Sequence, residues 1–341
     1  MIRTIFAIVI FLAATCTFAA DPPKEPAKPS ANMPGEELLK GWSPDKAADF
    51  LDGVSLHWTR EKKCGTCHTN YPYLMARPRL QLESDMRHYR EVRAFFEDRA
   101  LNWDKNKPRW DAEVVATAVS LAISDRHTTN KLHAATQAAL ARMWKLQKEN
   151  GSWDWLKCDW PPMEHDDYFG VVYAAVGIGI APGNYSSSPI AQAGLEKMRG
   201  YLKKNQVPDL HHKTWLLWAS YRIPDFLSDS EKKAAIAELR SKQREDGGWS
   251  LPSLGSYKRR DGTDNDPKAD SDGYATGLVL CVLKEAGLEK DDEAIRKGIH
   301  WLQTHQTESG RWYTRSLNND KAHYITNAGT AFAVWALRSW E

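Results

Sequence analysis

The chain has 341 residues, 46 of them basic and 44 acidic, and a net charge of +2. That balance excludes the basic footprint of a nucleic-acid binder and gives no reason to expect a polyanionic partner. With 42% hydrophobic and 26% charged residues, the composition is that of a globular protein with one large domain or two ordinary ones.

Residues 1–19 read as a cleaved secretory signal. Arg3 supplies the positive start, "IFAIVIFLAA" the apolar stretch, and Thr17 and Ala19 suit the sites before a signal-peptidase cut. The apolar run is about half of the roughly 20 residues that a bilayer span requires, so no stable membrane span is expected. Cys16 offers a lipoprotein alternative, for which Thr15 is a poor fit. Export makes the expected location periplasmic or secreted, where thiols oxidise. Residues 20–43, with five prolines in "DPPKEPAKPSANMPG", read as a flexible or extended tether.

Residues 44–341 read as one helical domain of repeats. "WKLQKENGSW", "RSKQREDGGW" and "QTHQTESGRW" align without gaps, giving Gln147/Gly151/Trp153, Gln243/Gly247/Trp249 and Gln306/Gly310/Trp312. Each follows a stretch with helical apolar spacing and precedes a more apolar helix. The glycine suits the left-handed end of a helix, and the tryptophan folds back to bury its ring. The apolar helices begin near Asp111, Asp166, His211, Ser271 and Ile325, and are apolar nearly all round, which implies burial on both faces. With a first pair from "PDKAADFLDGVSLHW" and "YPYLMARPRL", six hairpins result, and six inner and six outer helices close an all-α ring, an α/α toroid.

The Gln-x-x-x-Gly-x-Trp repeats resemble the motifs of squalene–hopene cyclases. The paired helices are similar to the wider terpenoid-cyclase and protein-prenyltransferase class of α/α toroids. The resemblance covers roughly residues 44–340. It implies the fold; the activity is left open, because this architecture hosts cyclases, transferases, lyases and binding proteins.

"WTREKKCGTC" aligns with "WKLQKENGSW", placing Glu61 against Gln147, Gly65 against Gly151 and Cys67 against Trp153. Cys64-Gly65-Thr66-Cys67-His68 is the C-x-x-C-H pattern of covalent haem c, with His68 as the iron ligand. The expectation is that haem replaces the missing tryptophan. A disulfide, or a zinc site completed by Cys158, is the alternative. Met75, His57, His165, Met163, His211 and His212 are candidates for the other face of the iron, Met75 the poorest because only seven residues separate it from His68.

The second cluster is "WLKCDWPPMEHDDYFG", with Glu164, His165, Asp166 and Asp167 beside Cys158. Glu164 to Asp167 is similar to the D-x-D-D acid motif of squalene–hopene cyclases, and the resemblance would make Asp166 the acid. Glu replaces the first Asp, and Tyr168-Phe169-Gly170 stands where that family has Thr-Ala. Asp270 and Asp272 hold the matching place in a later repeat, a recurrence that suits helix capping by an Asp at the start of an inner helix, a reading open to Asp166 as well as Asp272. Glu164, beside Pro161-Pro162, has no capping role and is the first candidate for a functional carboxylate. Cys158 and Cys281 read as buried apolar residues, Cys281 within a helix. Residues 256–273 read as a solvated loop or a lid.

The leading expectation is an exported haem protein doing redox chemistry on an apolar, isoprenoid-like ligand in the central cavity, with an electron-transfer protein as a further partner. The alternatives are a redox-silent cyclase using Glu164 and Asp166 and a non-catalytic binding scaffold.

Overall fold

The computed structural model describes residues 25–80, 86–108, 110–156, 160–163 and 166–341. Thirteen α-helices lie among them: α1 (Pro44–Lys62), α2 (Asn70–Ala76), α3 (Arg87–Leu101), α4 (Trp103–Asn106), α5 (Asp111–His127), α6 (Ala134–Leu146), α7 (Asp167–Ile180), α8 (Pro189–Lys204), α9 (Leu210–Arg222), α10 (Asp229–Ser241), α11 (Gly273–Glu285), α12 (Glu293–Thr304) and α13 (Tyr324–Ser339). The proposed signal, residues 1–19, lies outside the described residues. No helix among those described is long and apolar enough to cross a membrane.

Six helices line the ring. Helix α2 packs on α5, then α5 on α7, α7 on α9, α9 on α11, α11 on α13, and α13 returns to α2. They are the stretches with apolar residues on every face, because each is covered by ring neighbours and by an outer helix. The outer partners are α1, α3, α6, α8, α10 and α12, while α4 is a single turn between α3 and α5. The ring is the α/α toroid expected.

The repeated motif builds the contact between successive hairpins. Gly151, Gly247 and Gly310 all have φ between +91° and +96°, a region open to glycine at little cost. Each brings its Cα against the next outer helix, so that a Cβ would run into the backbone of Lys197, Lys297 or Lys46. The following indoles are fully buried, and each donates Nε1–H to the carbonyl ten residues earlier: Trp153 to Met143 (2.8 Å), Trp249 to Leu239 (2.7 Å) and Trp312 to Leu302 (2.7 Å). The glutamine amide clips two chains together. Gln243 donates to Gly247 O (2.8 Å) and to Ala294 O of α12 (2.7 Å), and Gln147 to Gly151 O (3.1 Å) and Gly194 O of α8 (3.0 Å). Gln306 donates to Gly310 O and Ser43 O (3.0 Å each) and accepts from Ser43 N (2.6 Å), so the last hairpin is fastened to the first. Gln243→Ala should therefore cost about 1–3 kcal/mol, read from urea denaturation. A change within error would show that the clip is incidental.

Three expectations need correction. Residues 25–42 do not hang free. Asn32 N bonds Lys321 O (3.1 Å), Leu39 N bonds Gln306 O (2.8 Å), and buried Arg311 pairs with Glu36 (2.8 Å) and donates to Ser30 O and Ala31 O. The segment is a strap across the junction of the last and first hairpins, and its prolines keep it extended. Nor is the lumen open where the inner aromatics meet. Tyr173 of α7 donates to Met75 Sδ of α2 (3.7 Å) and touches Trp215 of α9; Trp215 and Trp218 touch Phe332 and Trp335 of α13, with ring centroids 5.2–5.9 Å apart. The Tyr173–Met75 contact and those of Trp215 and Trp218 with α13 join helices that are not ring neighbours, so packed rings plug the middle of the barrel. The first hairpin also departs from the repeat. There the left-handed residue is Lys63 (φ 50°), Glu61 is exposed beside Lys28, and Gly65 packs on the Tyr71 hydroxyl.

Candidate functional site

Every outer helix returns the chain to the start of an inner one, so the inner N-termini share one mouth. The C-x-x-C-H loop opens that mouth on the first hairpin. Asn70, the first residue of α2, shapes it: Oδ1 accepts from Thr66 N (2.8 Å), and Nδ2 donates to Cys64 O (3.0 Å) and Thr59 Oγ1 (3.2 Å). Cys64 and Cys67 are half-buried thiols. Cys67 and His68 line a cavity of about 360 Å³ whose other walls include Trp58, Trp160, Pro161, Pro162, Leu317 and Tyr324.

His68 is held in one orientation. Its Nδ1 lies 2.7 Å from Thr69 Oγ1, which accepts in turn from Asn327 Nδ2 (3.0 Å). Trp58 sets its edge on the imidazole at 4.9 Å, and Tyr324 lies over it at 4.4 Å. Burial, with a smaller push from His323, lowers its pKa to about 3, so the ring is neutral. A neutral imidazole with one nitrogen fixed by a neighbour and the other unspent is the state that a metal ligand requires. The donor set is of the kind a covalent haem uses, with two thiols on one short loop, of which Cys67 is in the cavity wall, an oriented histidine, and aromatic and aliphatic walls.

Among the candidates for the opposite face of the iron, Met75 lies inside the lumen under Tyr173, and Met163 is buried near the cavity wall. His57 lines a neighbouring cavity that shares Trp58 and Tyr324, and its Nε2 has no hydrogen-bond partner among the described residues. His211 Nε2 is 2.7 Å from the Tyr274 hydroxyl and accepts from Trp215 Nε1 (3.3 Å). His165 lies outside the described residues.

The carboxylates occupy the same mouth. Glu164 and Cys158 lie outside the described residues. Asp166 caps α7, accepting from Phe169 N (2.8 Å), and its second oxygen meets His212 Nε2 at 3.0 Å. Asp167 accepts from Ser152 Oγ (3.0 Å) and Lys148 Nζ (3.3 Å). Asp209, the cap of α9, lies 2.7 Å from His212 Nδ1. Burial alone would lower the His212 pKa, but hydrogen bonds and charge from Asp166 and Asp209 outweigh it and hold it near 9. One ligand atom each of Asp209, His211 and His212 lie within 4.8 Å of one another. Both His212 nitrogens face carboxylates, however, so the arrangement is an imidazolium between two anions. The sequence offered His212 only as an iron ligand; Asp209 was legible as a cap two residues before a His-His pair.

Asp272 is buried and caps α11. It accepts from Ala275 N (2.9 Å), Leu251 N (2.5 Å) and Thr314 Oγ1 (3.2 Å), while burial pushes its pKa up to about 6. It borders a cavity of about 650 Å³ roofed by strap residues 33–38, which Asp270 also lines. Residues 256–273 are anchored: Arg259 pairs with Asp320 (2.5 Å), and Trp160 donates to Lys258 O (2.6 Å). Cys281 is buried in α11, and burial drives its thiol pKa up.

Residues 214–328 match the family described as the squalene–hopene cyclase C-terminal domain. The squalene–hopene cyclase of Zymomonas mobilis is 35% identical over 177 residues, 45% of this chain and 26% of that protein. That of Bradyrhizobium diazoefficiens is 37% identical over 70 residues, 19% of this chain and 11% of that protein. The chain thus spans about a quarter or less of the length of these relatives. Among solved structures, a polysaccharide lyase is similar at 11% identity and a TM-score of 0.34, over 87% of this chain and 96% of its own. A family 88 glycosyl hydrolase from Bacteroides vulgatus is similar at 10% identity and a TM-score of 0.33, over 88% and 92%. The matched segment, residues 214–328, carries two of the three motif copies and is similar to the C-terminal domain of squalene–hopene cyclases.

Proposed function

We propose that this chain is an exported toroid that carries covalent haem c on its first hairpin and works as a redox protein at the mouth of the ring. The observation that supports this reading is the meeting of Cys67 and a neutral, oriented His68 in one aromatic-walled cavity. Cys64 and Cys67 would hold the haem, each thiol adding S–H across one vinyl group, and His68 would offer Nε2 to the iron. The group would supply one-electron chemistry. The chain's part is to bury that group between Trp58, Trp160 and Tyr324, to fix His68 through Thr69 and Asn327, and to keep water from one edge. Because packed rings fill the lumen, an apolar, isoprenoid-like substrate would approach at the mouth, as would an electron-transfer protein.

The test is expression with c-type maturation machinery, followed by a haem-stained denaturing gel and a reduced-minus-oxidised spectrum. The full chain should stain, and the Cys64→Ala, Cys67→Ala double variant should lose the stain entirely. An unstained wild type ends the proposal; a stoichiometric zinc content in its place would favour a zinc site.

A second reading is a redox-silent, cyclase-like enzyme, favoured by the similarity over residues 214–328. Asp272 is the described carboxyl that burial brings nearest to holding a proton at neutral pH. Asp166 is already committed to His212. Under this reading Asp272→Asn would abolish turnover of an accepted substrate and leave any haem spectrum unchanged.

A further inference from the structure

We infer that the opposite mouth of the ring, at the C-terminal ends of the inner helices, binds a small oxyanion. Arg79, just beyond α2, borders a cavity of about 370 Å³ together with His127, Arg338 and Glu341. Its guanidinium lies over Trp335 at 4.5 Å, donates from Nη1 to Ser339 Oγ (3.0 Å) and meets His127 Nε2 with Nη2 (2.9 Å). Its Nε is buried with no acceptor, and so is Nε of Arg338.

What sets Arg79 apart is its charge balance. Arg79 is half-buried, and the more deeply buried arginines of this protein have carboxylate partners: Arg77 has Asp52 (2.8 Å), Arg93 has Asp125 (2.6 Å), Arg259 has Asp320 (2.5 Å) and Arg311 has Glu36 (2.8 Å). Among the described residues no carboxylate lies within ion-pair distance of Arg79. A guanidinium partly withdrawn from water without a counter-ion carries a cost, and proteins normally supply one. Burial shows here as a pKa lowered to about 10.

Further arginines stand nearby: Arg338 lies in the lining beside its partner Glu341, and Arg126 and Arg222 act on His127. His127 is held neutral, its pKa lowered to about 3 by burial first and then by Arg79, Arg126 and Arg222. Helix C-termini attract cations, which explains the sign of the charge at this mouth. That attraction leaves unexplained a guanidinium turned inward onto a tryptophan with a donor idle. Glu285 is already paired with Arg222 (2.6 Å), and Glu341 with Arg338 (2.6 Å). Two guanidinium groups border one polar cavity, each with a buried Nε–H that has no acceptor among the described residues, and planar arginine donates in pairs to the oxygens of a phosphate or a carboxylate. The site is independent of whatever the first hairpin carries, and it lies at the other end of the barrel.

The test is calorimetric titration of the full chain with inorganic phosphate and, separately, with acetate, each against chloride at equal ionic strength. Saturable binding of either supports the site, and the tighter of the two identifies the oxyanion. Arg79→Gln should weaken binding about tenfold or more. Should that variant not fold, Glu341→Gln carries the test. It changes an exposed side chain and frees Arg338, so binding should tighten severalfold. Absence of saturable binding to the wild type, unchanged affinity in a folded Arg79→Gln variant, or unchanged or weaker affinity in Glu341→Gln overturns the inference.

Discussion

Gly310→Ala should destabilise the protein by about 3–5 kcal/mol. Two costs combine. At φ +91° an alanine is strained by about 1–3 kcal/mol, because its Cβ crowds its own backbone. The Cβ would also collide with the carbonyl of Lys46 in α1. A backbone carbonyl has no rotamer to escape to, so the last and first hairpins would have to separate. Relief by separation would stretch the Gln306 bonds to Ser43 and the strap's bonds to Gln306 and Lys321. Gly183 is the internal control. Its φ is +72°, but nothing lies within 4 Å of a Cβ there, so Gly183→Ala should carry the strain alone. Urea denaturation of the two variants separates the terms. Equal losses in both would mean that the closing contact contributes nothing and that the ring is held by the inner helices.

The same contact shows how far the sequence could be read. Repetition made the toroid legible: the glutamine, glycine and tryptophan recur at fixed spacing because each does the same job against the next outer helix. Apolar runs such as "DYFGVVYAAVGIGI" announced inner helices, since only burial on both faces tolerates such a stretch. Aligning the first hairpin with the others extended the pattern too far. Glu61 cannot donate as a glutamine amide does, and the left-handed turn moved to Lys63, freeing Gly65 to pack on Tyr71. The strap was read as a tether because prolines report an extended backbone but not what it lies against. Its partners, Gln306, Arg311 and Lys321, are nearly 300 residues away in sequence. The plugged lumen was hidden for a similar reason. Tyr173, Trp215, Phe332 and Trp335 fall in the apolar runs of the inner helices, but whether such rings line a chamber or fill it depends on the ring's diameter. At the candidate site, the thiols and His68 were legible from their spacing. Thr69, Asn327 and Tyr324, which orient His68, carry no local signal, since two of the three come from the last hairpin.

His212 should give the protein a pH dependence that the rest of the chain does not mask. Its folded pKa is near 9, against an ordinary value of 6.5. Burial works against the charge, and the carboxylates of Asp166 and Asp209 overcome it. The folded state therefore holds a proton that the unfolded chain releases above pH 6.5. The stabilisation is complete below that value and is lost as the pH rises from 6.5 through about 9. The side chain is 3% exposed, so solvent screening does not discount it. At 1.36 kcal/mol per unit, the shift corresponds to about 3 kcal/mol across that window. Other perturbed groups act elsewhere. His68 and His127, lowered to about 3, weaken the fold as the pH falls below 6.5, where they would have to stay neutral. Asp272, raised to about 6, changes stability between its ordinary 3.8 and that value. The slope between pH 6.5 and 9 thus belongs chiefly to His212. Urea denaturation at intervals across that range should show a steady decline in the wild type and little or none in His212→Gln. Asp166→Asn should flatten the slope partway, since one carboxylate remains. A wild type equally stable at both ends of the window would show that His212 is not protonated between its two neighbours and that the mouth carries two unbalanced carboxylates.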